Sequence, residues 1–217
     1  NSENLIKNFI DEFENYCGKK SKRTQQRTDN ILKMIYQDIL ISESFISILE
    51  SKKLIDSEVK KIKTLNELPK SNLMDSSFMP NDIKDKILYS ILGYIKTTIK
   101  IGKITVNVYY GLFKKSDFNK LSKIKKEIMS ALKIIKFCTL YKNLKTMETL
   151  DVYLYLTDYT KTMPKNPVLV LNQNNCNSAV TFACSSSGKL LIYRKEEWKK
   201  VLIHELFHSL CLDFAAN

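Results

Sequence analysis

Histidine is nearly absent from this chain: two of 217 residues, His204 and His208. With no third histidine, any site built only from imidazoles stops at two. Apolar stretches are short; the longest, such as residues 87–95, fall well below the roughly 20 residues needed to cross a membrane, and the N-terminus lacks a secretory apolar core. No membrane span is expected. The five cysteines, Cys17, Cys138, Cys176, Cys184 and Cys211, are odd in number and form no Cys-x-x-Cys pair. That argues against a full disulfide framework and points mildly to a reducing, intracellular setting. Glycine and proline, five and four, are scarce beside abundant lysine, isoleucine and asparagine, a coding bias that says little about chemistry.

What is present is concentrated. Both histidines fall in one window, His204-Glu205-Leu206-Phe207-His208. Two histidines placed at random would stand four apart roughly once in a hundred chains of this length, and a glutamate after the first lowers that about tenfold. On a helix, residues four apart share a face, so both imidazoles can reach one ion at about 2.0–2.1 Å. Glu205 lies beside them, placed to take a proton from an activated water. The flanks, Val201 to Ile203 and Leu206 to Leu210, carry no charge apart from the motif itself, as expected of a helix buried behind a cleft. A core helix with two hydrogen-bonded histidines and a surface glutamate is the alternative.

At these residues the chain resembles the zincin metallopeptidases. Val201 three places before the first histidine, uncharged Leu206 and Phe207 between the ligands, and Leu210 two places after the second meet that family's extended signature. The resemblance covers about residues 178–213 directly. It implies zinc as cofactor, His204 and His208 as ligands, Glu205 as general base and acid, and hydrolysis of peptide bonds in a protein or peptide substrate. It also implies an edge strand before the helix that binds extended substrate, here Ser178 to Ala183. The metzincin variant fails, because Cys211 and Phe214 stand where its glycine and third histidine belong. The gluzincin variant takes a glutamate from a later helix, and the sequence ends at Asn217. Asp213 is the nearest carboxylate and the candidate third ligand. On a continuing helix it would be rotated about 140° from His208, so it can ligate only if the helix breaks near Cys211 or Leu212. Cys176 and Cys184, flanking the expected edge strand, can pair or approach the metal; buried inert thiols are the alternative. Tyr193 and Tyr155 are candidates for an oxyanion donor. The start at Asn1 and the end just after an apolar helix read as those of a piece of a longer chain. More weakly, composition and motif context resemble uncharacterised zincin-like proteins of large DNA viruses.

The rest of the chain organises around this motif. Apolar spacing predicts helices over 2–16 and 29–54, a shorter one over 57–68, and a connecting loop from Pro69 to Pro80. A stripe from Ile83 to Ile95 continues the helical pattern. Ile104, Val106, Val108 and Tyr110 alternate with polar residues as a half-buried strand does. Leu121 to Ile135 reads as a long helix and Val152 to Leu156 as a strand. Residues 179–182 and 190–193 read as a hairpin leading into the motif helix, which is placed to begin near Lys195 with Glu196 and Glu197 in its first turn. The expected class is α+β, a helical N-terminal region over 1–80 followed by a zincin-like mixed strand and helix region over 81–217 with the motif helix at its C-terminal end.

The net charge is +12, and the stretch Lys96 to Lys145 alone holds thirteen lysines against Asp117 and Glu127. A second basic run spans Lys19 to Arg27. Such patches attract anionic partners, although lysines on the outer face of amphipathic helices are commonly just solvated. Two function classes follow. One is a zinc-dependent endopeptidase; the other is a catalytically inactive zincin-like basic protein that binds nucleic acid or scaffolds a particle.

Overall fold

The alternation read at Ile104–Tyr110 forms a central strand of a six-stranded mixed sheet. The computed structural model describes residues 22–69, 72–142, 147–162 and 170–213. The helix expected over 2–16 lies outside them. In order, the elements are α1 (Lys22–Ser51), β1 (Asp56–Lys61), α2 (Asn81–Ser90), β2 (Gly93–Ile101), β3 (Ile104–Leu112), α3 (Leu121–Leu140), β4 (Thr149–Thr157), the single turn α4 (Gln173–Cys176), β5 (Ala179–Thr181), β6 (Ser187–Arg194) and α5 (Trp198–Ser209). Three 3-10 turns, Leu65–Glu67, Asn72–Asp75 and Lys115–Asn119, join them. The class is α+β.

The chain divides into two compact units, residues 1–41 and 42–217. In the first, the described part of α1 exposes Ile31, Leu32, Met34 and Tyr36. The second holds the whole sheet, and residue 80, where the sequence reading divides the chain, lies inside it.

The sheet order is β1-β2-β3-β4-β6-β5. β3, β4 and β6 run parallel, while β1, β2 and β5 are antiparallel to their neighbours. Gly102, at φ +62°, makes the two-residue turn between Ile101 and Ile104. One face of the sheet packs Val106, Val108, Leu150, Val152, Leu190 and Ile192 against α3, α5 and Ile46. The other carries Tyr153, Tyr155, Leu191 and Tyr193 against Ile83 and Ile87 of α2 and the Asn72–Asp75 turn. Both faces of β4 and β6 are therefore covered, which is why these two strands read as nearly continuous apolar runs while β3 alternates.

Two expectations are corrected. Residues 57–68 form β1 and a 3-10 turn rather than a helix; every β1 side chain is exposed, and pairing to β2, with Ser57 and Thr97 hydroxyls 3.0 Å apart, outweighs local helix preference. The stripe from Ile83 to Ile95 is broken at Ser90, after which Gly93–Ile101 becomes a strand. Its β-branched run Ile95, Thr97, Thr98, Ile99 carries that signal.

Gly188 fixes how closely α5 approaches the sheet. A Cβ there would stand 2.9 Å from Ser209 Oγ on α5, 2.9 Å from Met147 Cε and 3.0 Å from Leu150 Cδ1. Gly188→Ala is expected to destabilise the protein by about 1–3 kcal/mol through overpacking. A lowered denaturant midpoint with unchanged m-value measures this, and an unchanged midpoint refutes the close packing.

Candidate metal centre

The motif lies on α5, which begins at Trp198, three residues later than the sequence suggests. Glu197 adopts φ +55° just before it, and Glu196 is drawn away by accepting the Lys161 amide at 2.7 Å, so neither acid sits inside the first turn. Trp198, Leu202 and Leu206, spaced four apart, are buried against the sheet and α3, each side chain contributing about 1.5–3 kcal/mol. Burial on that face turns His204 outward and leaves His208 half-buried. The helix is not buried all round, since Ile203 and Phe207 are exposed.

The two imidazoles meet edge to face, centroids 4.7 Å apart and planes at 88°, with their Nε2 atoms 3.2 Å apart. Two nitrogens bound tetrahedrally to one zinc at about 2.0–2.1 Å would stand about 3.3–3.4 Å apart. The separation fits a shared ion. Glu205 is 8% exposed, and desolvation pushes its carboxyl from 4.5 to about 7, with the neighbouring His208 pulling the other way.

Asp213 reaches the site because α5 breaks. Cys211 takes φ +55°, its amide donates to His208 O at 3.3 Å, and the Leu212 amide donates to Phe207 O at 2.8 Å. This is a Schellman ending with a cysteine where glycine is usual. It carries the Asp213 carboxylate back to His208, where Oδ2 pairs with Nδ1. That ring nitrogen lies opposite the Nε2 that faces His204. Asp213 Oδ1 is buried and without a hydrogen-bond partner. Among the described residues no group of three or more His, Cys, Asp or Glu side chains gathers around a point.

Cys184 and Cys211 form a disulfide, which removes Cys184 as a thiolate ligand and replaces the expected alternatives for that residue. The bridge ties the β5–β6 connection to the end of α5, and the Cys184 amide also donates to His208 O, at 3.2 Å. Cys138 is a buried free thiol, pushed up to about 12 by burial, and Cys176 is free and exposed.

An open cleft of about 320 Å³ lies between the motif and the edge strand. α5 lines it with Lys200, Val201, His204 and Glu205, and Cys176, Asn177, Ser178 and Ala179 form the opposite wall. The expected edge strand is present as β5. Tyr193 N donates to Ser178 O and Phe182 N to Lys189 O, so strand alternation turns the amides and carbonyls of Ala179 and Thr181 to the free edge. Tyr155 and Tyr193 do not reach this cleft. Both pack on the other face of the sheet, Tyr155 donating to Pro69 O at 2.7 Å and Tyr193 to Phe78 O at 3.4 Å.

No family model, curated protein or solved structure matches this chain significantly.

Among the described lysines of the stretch 96–145, Lys96 and Lys100 lie on β2, Lys115 in the Lys115–Asn119 turn, and Lys123, Lys125, Lys126, Lys133 and Lys136 on α3. Several are engaged internally: Lys114 with Asp158 at 2.9 Å, Lys133 with Glu43 at 3.2 Å, and Lys136 over the Phe45 ring at 5.0 Å. Among the described residues no helix is long and apolar enough to cross a membrane.

Proposed function

We propose that this chain is a zinc-dependent endopeptidase of the His-Glu-x-x-His class. The observation that carries the reading is the pair of Nε2 atoms 3.2 Å apart on one helix with the buried Glu205 between them in sequence. His204 and His208 would hold the ion through these nitrogens. Among the described residues no third His, Cys, Asp or Glu stands with both histidines in a group that could hold the ion. Zinc at this position supplies a Lewis acid that lowers the pKa of water and polarises a carbonyl.

The chain's own groups do the rest. Asp213 accepts the Nδ1 proton of His208, which fixes the tautomer and leaves the Nε2 lone pair for the ion. This makes Asp213 a positioning residue behind a ligand in the proposed site. Glu205 takes the proton of the attacking water and passes it to the leaving amine. The free backbone groups of Ala179 and Thr181 pair with an extended peptide and present its scissile bond to the cleft.

Zinc content after dialysis against a weak chelator tests the reading. Wild type is expected to keep about one zinc per chain and His208→Ala to lose it, while Asp213→Asn binds about 10–100-fold more weakly. A folded wild type that holds no zinc defeats the proposal. Equal affinity in Asp213→Asn removes the role given to that carboxylate.

A further inference from the structure

Arg194, the last residue of β6, is 2% exposed, making it the largest fully buried side chain in the described part of the protein. No carboxylate among the described residues pairs with it, and its Nη1 has no hydrogen-bond partner. A buried guanidinium with only neutral partners is a costly group to retain for packing, because it surrenders its hydration without the return of an ion pair. What it does hold is specific: Nε donates to Asn177 O at 2.9 Å and Nη2 to Asn174 O at 2.8 Å.

Asn177 belongs to the wall of the cleft facing His204 and Glu205, and Asn174 lies in the turn that leads into that wall. That wall has little apolar anchorage. It is the four-residue turn α4 and the Asn177-Ser178 step into β5, capped by Asn172 Oδ1, which accepts the Asn174 amide at 2.9 Å, and by Asn175 Oδ1, which accepts the Asn172 amide at 2.9 Å. Regular pairing with β6 stops where β5 begins, at Ala179, with one further bond from Tyr193 N to Ser178 O. Beyond that point the Arg194 side chain takes over from the backbone ladder, one nitrogen per carbonyl. A planar fork can bridge two carbonyls in fixed geometry, whereas an ammonium is a single point donor.

We propose that Arg194 is a positioning residue that sets the far wall of the cleft, holding Asn174–Ser178 at the spacing from α5 that an extended peptide requires. Its effect on substrate rests on the endopeptidase reading; its hold on the wall does not. Arg194 touches neither the motif nor substrate and acts through Asn174 and Asn177.

The test compares the zinc-loaded full chain with Arg194→Lys and Arg194→Gln. Amide exchange at 174–179 is expected to speed up by about tenfold or more in the Gln variant, less in the Lys variant, with exchange in β3, β4 and α5 unchanged. With dye-quenched casein as substrate, KM is expected to rise by about tenfold while kcat stays within about twofold, and Lys to recover part of the loss. Wild-type exchange at 174–179 in the Gln variant overturns the proposal. Faster exchange throughout the sheet also overturns it, assigning Arg194 to global stability. A fall in kcat at unchanged KM contradicts a role in peptide placement. Should wild type fail to cleave casein, the endopeptidase reading falls, and the exchange comparison alone decides the role of Arg194.

Discussion

Replacing Glu205 by glutamine is expected to lower peptide-bond hydrolysis by about 10²–10⁴-fold while zinc content and fold are retained. The amide fills the same space but has no basic oxygen to receive the proton of the attacking water. A general base works best when its pKa lies near the working pH, and burial lifts Glu205 to about 7. Only the ionised form accepts a proton, so activity should rise with pH on the acid side; zinc, by favouring the carboxylate, moves that limb below 7. The same burial has a consequence that needs no substrate. In the zinc-free protein the folded pKa exceeds the ordinary 4.5, so the folded state keeps a proton that the unfolded chain releases. Stability from this group is therefore full below about 4.5 and is lost as pH rises towards about 7; the gap corresponds to about 3 kcal/mol. Denaturant unfolding at pH 5 and pH 8 should show a loss of this order in zinc-free wild type relative to Glu205→Gln. Parallel pH dependence in the two proteins would mean that the carboxylate is not desolvated.

Sequence patterning located most of the sheet because burial alternates where strands have one covered face or runs apolar where both are covered. Ile104–Tyr110, Val152–Leu156 and Leu190–Tyr193 all fall within strands. β1 was illegible for the opposite reason. Its residues, Asp56-Ser57-Glu58-Val59-Lys60-Lys61, are all exposed, and an edge strand held by polar bonds leaves no apolar signature. β2 was obscured because Ile91 and Ile95 extend the spacing of α2 past the point where the helix stops.

At the site, the spacing of His204 and His208 was sufficient to place both imidazoles on one face, since a helix leaves no freedom at that separation. The bend that brings Asp213 back depends on Cys211 adopting a left-handed conformation, and a cysteine carries little local preference for it. Arg194 gave no signal at all. A lone arginine ending a strand reads as solvent-exposed, whereas the fold buries it with its guanidinium bonded to the carbonyls of Asn174 and Asn177.

Reduction of the Cys184–Cys211 bridge is expected to cost about 3 kcal/mol of stability. The bridge joins residues 27 apart, and cross-linking a loop of that size removes chain entropy of this order from the unfolded state. For a chain of this length the melting temperature should fall by about 10 °C in dithiothreitol. The Cys184→Ser, Cys211→Ser double variant should melt at the reduced temperature with or without reductant; equal melting of wild type in both conditions would mean that the bridge stabilises nothing. The local effect follows from geometry. His208 O accepts the amides of both bridged cysteines, and Asp213 follows Cys211 by two residues, so the bridge pins the segment that delivers the carboxylate to Nδ1. Opening it frees that segment to fray, as helix ends do when tertiary contacts are removed. Zinc affinity should then weaken on reduction in wild type, and Asp213→Asn, which has already lost the carboxylate, should be insensitive to reductant. Equal weakening in both proteins would instead place the effect of the bridge on α5 as a whole rather than on Asp213.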